Sequence, residues 1–230
     1  MVRVLIVSAS PREYGYVRRA SEFARRVATE VMGEEASWID LYNYRIHPCV
    51  GCVSDNVKAC YRPCPIDDDW ERIADMVEGS DALILVTPIY WYNVSTPMKC
   101  FIDRLTTFEN AIFVEGRSRL EGKVAAFAAI GNDVGAIAVI QNLMIVLNSM
   151  GAVIPPWALA YHTSEESPLR SEKFVLDMAN VVSCSVLMAR ALKGLGIPRE
   201  WYRADREFVE RVTKIAEEVD REFDEMLYGS

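Results

Sequence analysis

Val2-Arg3-Val4-Leu5-Ile6-Val7-Ser8-Ala9-Ser10-Pro11-Arg12-Glu13-Tyr14-Gly15-Tyr16-Val17 passes from an apolar run, through loop residues, into a helical pattern. Val2 to Val7 is β-branched and nearly continuous, which predicts a strand buried on both faces of a parallel sheet. Val17, Ala20, Phe23, Ala24, Val27 and Val31 then recur at helical spacing, and Gly33 is a stop. The same alternation continues outward from this unit. Ser37 to Leu41 predicts a second, weaker strand. Asp68 and Asp69 before Trp70-Glu71 read as a helix N-terminus, with the helix running to Val77. Ala82 to Thr87 and Val124 to Ile130 are further buried strands, and Ala152 to Ile154 reads as a short fifth. Thr96-Pro97 opens a helix through Leu105, and another spans Ala136 to Met150. This order predicts an α/β fold with a five-stranded parallel sheet covered on both faces.

Beyond Pro155-Pro156 the pattern changes. Residues 157 to 170 read as loop. Ser171 to Leu192 predicts a helix that is apolar on most sides, and Asp205 to Leu227 an amphipathic one. The expected organisation is one domain over 1–155, with a cysteine-rich insertion at 42–66. A helical extension over 156–230 packs on it or at a subunit interface.

The 230 residues are 51% hydrophobic and carry a net charge of −8. That composition supports a packed core and argues against a nucleic-acid partner. No apolar run reaches the roughly 18 residues of a membrane span, and the N-terminus reads as a strand rather than a leader. A cytoplasmic protein is expected, and in a reducing compartment clustered cysteines point to a metal or redox site. Cys49, Cys52, Cys60 and Cys64 follow the spacing C-x2-C-x7-C-x3-C. Four thiolates could ligate a [4Fe–4S] cluster or a tetrahedral zinc, or stand as thiols or a disulfide with no metal. Cys100 and Cys184 sit in apolar helical patterns and read as packing residues.

In an open parallel sheet, ligands bind outside the carboxyl ends of the strands. The loop from Ser8 to Gly15 leads into a helix N-terminus, whose unpaired N–H groups suit a phosphate. Ser10 adds a hydroxyl and Arg12 a cation. After the third strand come Pro88-Ile89-Tyr90-Trp91-Tyr92-Asn93, whose three consecutive aromatics suit the edge of a planar ligand or an interface. After the fourth, Gly131-Asn132-Asp133 allows close backbone approach.

Together, Ser8-Ala9-Ser10-Pro11-Arg12, Thr87-Pro88-Ile89-Tyr90-Trp91-Tyr92 and Met98-Lys99-Cys100-Phe101-Ile102-Asp103-Arg104 resemble the flavodoxin-like NADPH-dependent FMN reductase family. With the cysteine cluster, the chain is most similar to its iron–sulfur flavoprotein branch, over about residues 1–155. The resemblance implies a flavodoxin-like three-layer fold and FMN as cofactor. NAD(P)H would be the co-substrate, and a small-molecule or protein electron carrier the partner. It implies that Ser10, Arg12, Gly15, Tyr16 and Val17 hold the FMN phosphate. Pro88, Ile89, Tyr90, Trp91, Tyr92 and Asn93 would lie along the ring and ribityl chain, and Gly131, Asn132 and Asp133 would close the other edge. No side-chain acid or base is required, so no catalytic residue is named. The family often has Asn-Thr after the glycine where this chain has Tyr16-Val17, which removes a hydroxyl bond worth roughly 1.5–3 kcal/mol. Related iron–sulfur flavoproteins carry a third cysteine where this chain has Asp55, so Cys60 would supply that ligand from a longer loop. Asp103-Arg104 reads as a structural ion pair. The apolar C-terminal helices suggest a homodimer or tetramer. The competing reading is a non-enzymatic, zinc- or disulfide-stapled interaction protein on the same scaffold.

Overall fold

The computed structural model describes residues 1–196 and 201–228. The chain divides into two units, Met1–Arg199 and Glu200–Ser230. In the first unit, strands β1 (Arg3–Ser8), β2 (Glu35–Asp40), β3 (Ala82–Pro88), β4 (Val124–Gly131) and β5 (Leu159–Thr163) form one sheet. Their order is β2-β1-β3-β4-β5 and every pairing is parallel. This is the flavodoxin-like order, with its switch point between β1 and β3.

Alternation along the central strands divides the core into two layers. Leu5, Val7, Leu83, Leu85, Ala125 and Phe127 face one side. Against them pack α2 (Trp70–Gly79), α3 (Thr96–Arg104) and α6 (Ala136–Ser149), the short α4 (Thr106–Glu109) and α5 (Ile112–Glu115) lying between α3 and β4. Val4, Ile6, Ile84, Val86, Ala126 and Ala128 face the other side, against α1 (Tyr16–Arg26) and α7 (Glu172–Gly194). A π-turn over Val27–Val31 prolongs α1, and Gly33 follows with φ +69°. Ser95, rather than Thr96, is the N-cap of α3, and Pro97 sits in its first turn.

The fifth strand is displaced from its expected place. Val153 makes only one parallel bridge, to Val124, before Pro155-Pro156 interrupts the ladder. The chain re-enters through Trp157, at φ +58°, and pairs Leu159 to Thr163 with Phe127 to Gly131. The sheet's edge strand and α7 therefore lie beyond residue 155, within the first unit. By length and apolarity α7 resembles a membrane span. Its Phe174, Met178, Val181, Val182 and Val186 are nevertheless buried against the sheet. Ser171 starts it by accepting a hydrogen bond from the Phe174 amide at 3.3 Å. The second unit contains α8 (Arg206–Tyr228), whose first turn Asp205 caps by accepting from the Phe208 amide at 3.0 Å.

Candidate functional site

A cleft of about 700 Å³ opens at the carboxyl ends of β1, β3 and β4. Three loops expected to converge do so. Ser10, Arg12, Gly15, Tyr16 and Val17 line it from the first, Pro88, Ile89 and Tyr90 from the second, and Gly131 and Asn132 from the third. Trp91, Tyr92, Asn93 and Asp133 are outside this lining.

The floor of the first loop is an exposed helix terminus. Gly15 is the N-cap of α1, makes no side-chain cap, and no acidic residue occupies the first turn. The first-turn N–H groups therefore keep their positive character toward the cleft. Gly15 is required by close approach, since a Cβ there would stand 2.9 Å from Arg12 Cβ and 3.1 Å from the Arg12 carbonyl oxygen. Its amide donates to that carbonyl at 3.1 Å. Ser10 is buried, and its Oγ accepts from the Arg12 amide at 3.4 Å. Beneath it, Asp40 accepts from the Tyr42 amide at 3.0 Å, and Arg18 Nε lies 2.7 Å from Asp40 Oδ2. Tyr16 turns its hydroxyl away from an anion-binding role and donates it to the Glu165 carbonyl at 2.8 Å.

The aromatic loop is a tight turn. The Tyr90 amide donates to the Asn93 carbonyl at 2.9 Å, and the Asn93 amide donates back at 3.0 Å. Trp91 and Tyr92 have φ of +51° and +63°, a left-handed geometry that bulky residues rarely adopt. Backbone strain of this kind costs about 1–3 kcal/mol per residue and collects at functional sites. Trp91 is 95% exposed. The Ile89 amide is engaged by the Ile130 carbonyl at 3.0 Å, so neither it nor that of Tyr90 is left for a ligand. A Cβ on Gly131 would come within 3.0 Å of Ile89 Cδ1, and one on Gly135 within 3.0 Å of Tyr92 Cδ1. These glycines let the third loop lie against the second.

All six cysteines are free thiols. Burial pushes the Cys60 thiol up to about 12, and the nearby sulfurs of Cys52, Cys49 and Cys64 add to the shift. The donor set is that of a thiolate-bound centre. Its arrangement is not, because among the described residues no three His, Cys, Asp or Glu side chains are grouped as ligands of one ion. No disulfide staples the segment.

The segment is anchored by an ion pair that sequence adjacency hides. Asp103 pairs with Lys99 at 2.5 Å, whereas Arg104 grips Asp68 at 2.8 and 3.1 Å and donates to the His47 carbonyl at 3.2 Å. Neighbours on a helix do not face one another, so the expected Asp103–Arg104 pair does not form. Burial raises the Asp68 carboxyl, but Arg104 and the His47 and Trp70 amides outweigh it and hold the group below its usual range.

The model of the NADPH-dependent FMN reductase family matches residues 2–166. The chain belongs to that family. It is 30% identical over 125 residues to an iron–sulfur flavoprotein of Archaeoglobus fulgidus, covering 54% of each chain. It is also 30% identical over 146 residues to an iron–sulfur flavoprotein of Methanocaldococcus jannaschii, covering 63% of this chain and 72% of the other. The chain thus spans about half the length of the first of these relatives. Among solved structures, RosB with a bound formylriboflavin phosphate intermediate superposes with a TM-score of 0.73 at 18% identity, over 95% of this chain and 87% of the other. An NADH:FMN oxidoreductase superposes at 0.61 with 20% identity, over 83% and 90%. Likenesses at this identity concern the fold.

For a member of the FMN reductase family, the cleft fits the cofactor's polar end: an uncapped helix N-terminus, a buried serine, an arginine and a glycine whose missing Cβ lets the loop close against Arg12 and Ser10. Pro11, Glu13, Tyr14, Ile130, Ser164 and Glu165, which the loop motifs did not single out, also line the cleft. Ser164 and Glu165 arrive through β5, and the misplaced fifth strand concealed them. No signal in the sequence separated them from ordinary loop.

Proposed function

We propose that the protein is an FMN-dependent oxidoreductase that takes reducing equivalents from NAD(P)H and passes them to a small-molecule or protein electron carrier. The observation that carries this reading is the uncapped N-terminus of α1, facing a cleft at the β1/β3 switch point. Bound FMN supplies the redox chemistry. The first-turn amides of α1, the Ser10 hydroxyl and Arg12 hold its phosphate. Pro88, Ile89 and Tyr90 on one side, and Gly131 and Asn132 on the other, flank its ring. Trp91, Tyr92 and Asn93 form the turn that sets Tyr90, and Asp133 lies beside the third loop's lining. No side chain of the cleft is assigned proton transfer.

Cys49, Cys52, Cys60 and Cys64 are proposed as ligands of an iron–sulfur centre, with zinc as the second candidate, on donor chemistry alone. Six free thiols suit a reducing cytoplasm. We read α7 as a core helix because its apolar face is spent on the sheet. We read the protein as a homo-oligomer because α8 exposes an apolar stripe.

Anaerobic purification followed by a visible spectrum, FMN titration and elemental analysis tests these readings. Tight FMN binding with NAD(P)H oxidation is expected. Protein that is colourless and takes up no FMN would reject the flavin reading. Arg12→Ala should weaken FMN binding roughly 10- to 150-fold, the loss of one charge-assisted bond, at unchanged stability. Iron with sulfide, zinc, or neither would decide the cysteine set.

A further inference from the structure

The second unit carries an apolar surface of its own. On α8, Phe208, Val212, Ile215 and Val219 recur at spacings of four, three and four residues. Val212, Ile215 and Val219 are exposed, at 41%, 52% and 48%. This is a heptad seam with Val212 and Val219 at the a positions and Phe208 and Ile215 at d. Arg211 and Glu218 occupy the flanking g positions, and Val209 and Ala216 the e positions. Among the described residues Arg211 makes no ion pair, and Glu218 has only a loose one, to Lys214 at 3.9 Å.

We propose that α8 pairs antiparallel with α8 of a second copy of this chain, building on the homo-oligomer reading above. Charge decides the occupant and its orientation. A parallel, in-register pair would set Glu222 against the partner's Glu222 in the seam and would leave Arg211 beside the partner's Ala216. An antiparallel pair with complete overlap would set Glu218 against the partner's Glu218 and bury Glu222 against the partner's Val212. One antiparallel register avoids both conflicts. Phe208 then meets the partner's Val219, and Val212 meets the partner's Ile215, each contact occurring twice by symmetry. In that register Arg211 lies beside the partner's Glu218, also twice, and Val209 beside the partner's Ala216. The paired stretch ends where Asp205, which Arg203 pairs at 3.0 Å, approaches the partner's Glu222; the exposed Phe223 and Met226 continue the apolar stripe of α8 outside it. A lipid surface is the poorer occupant. The helix holds four basic side chains against eight acidic ones, the reverse of what an anionic membrane attracts.

The test uses full-length protein loaded with FMN and analytical ultracentrifugation across a concentration series. Arg211→Glu and Glu218→Arg each place like charges together twice, and each alone should weaken self-association roughly tenfold. Mixed in equal amounts, the two variants make only attractive pairs, and wild-type association should return. Ile215→Asp should abolish the step, with circular dichroism and the flavin spectrum confirming an intact fold. An oligomer indifferent to all three changes, or a mixture that fails to recover, would overturn the helix pairing while leaving the homo-oligomer reading standing. A chain that is monomeric at every concentration would overturn both.

Discussion

Asp68→Asn removes one charge from an ion pair that the fold has closed to water, and it should be costly. The Arg104 and Asp68 side chains are 1% and 0% exposed. The carboxylate accepts two guanidinium bonds, at 2.8 and 3.1 Å, and the amides of His47 and Trp70, at 2.8 and 2.9 Å. Asparagine keeps the shape but presents a neutral amide, leaving the guanidinium buried without its counter-charge. Breaking a buried pair from one side costs about 3–5 kcal/mol. For a chain of this size each kcal/mol moves the midpoint by roughly 2–4 °C, so Tm should fall by about 6–20 °C. Urea denaturation followed by tryptophan fluorescence and circular dichroism measures the loss, since Arg104 stands 5.3 Å from the centre of the Trp70 ring. The pH dependence provides a second check. The Asp68 carboxyl is held below its usual range, so the native state binds this proton less readily than the unfolded chain. The pair's stability is complete above the unfolded value of about 3.9 and drains away as pH falls through the lowered native value. Asp68→Asn should flatten that acid slope. Asp68→Leu with Arg104→Met should be less damaging than either change alone, because no orphaned charge remains. A loss below about 1 kcal/mol, or an acid slope untouched by the substitution, would refute the reasoning.

Gly15→Ala should lower FMN affinity, because a Cβ 2.9 Å from Arg12 Cβ forces the first loop to move. Overpacking of this kind costs about 1–3 kcal/mol, and fluorescence titration with FMN reads it as roughly a 5- to 150-fold weaker Kd. Trp91→Gly should relieve a left-handed φ of +51° at a 95% exposed position. Calorimetry should then show an unchanged or higher Tm, and a clear fall would count against backbone strain there. In metal-stripped protein Cys60, with its thiol pushed up to about 12, should be the slowest of the clustered cysteines to alkylate at pH ~8, as read by peptide mass spectrometry. The unfolded chain loses that proton near 8.5, so this thiol's contribution to stability falls as pH rises above about 8.5.

Most of the sheet was legible because its strands declare themselves locally. Val2–Val7, Ala82–Thr87 and Val124–Ile130 are apolar on both faces, and only a doubly covered parallel sheet needs that pattern. Leu159–Thr163 declares nothing of the kind. Its residues alternate between exposed and buried beside a proline pair, and pairing with β4 alone makes them a strand. The same error hid Ser164 and Glu165 from the expected site.

The sequence by itself determined the order of elements, the three loops at the strand ends and the amphipathic stripe of α8, because each follows from the periodicity of neighbouring residues. Tertiary structure decided what those loops share. It brought Tyr90 but not Trp91 into the lining and turned the Tyr16 hydroxyl toward the Glu165 carbonyl. It also gave Arg104 to Asp68, 36 residues away, rather than to its neighbour Asp103. Such choices depend on which side chains meet across the fold and on the cost of leaving a buried charge unpaired, and neither is written in local spacing.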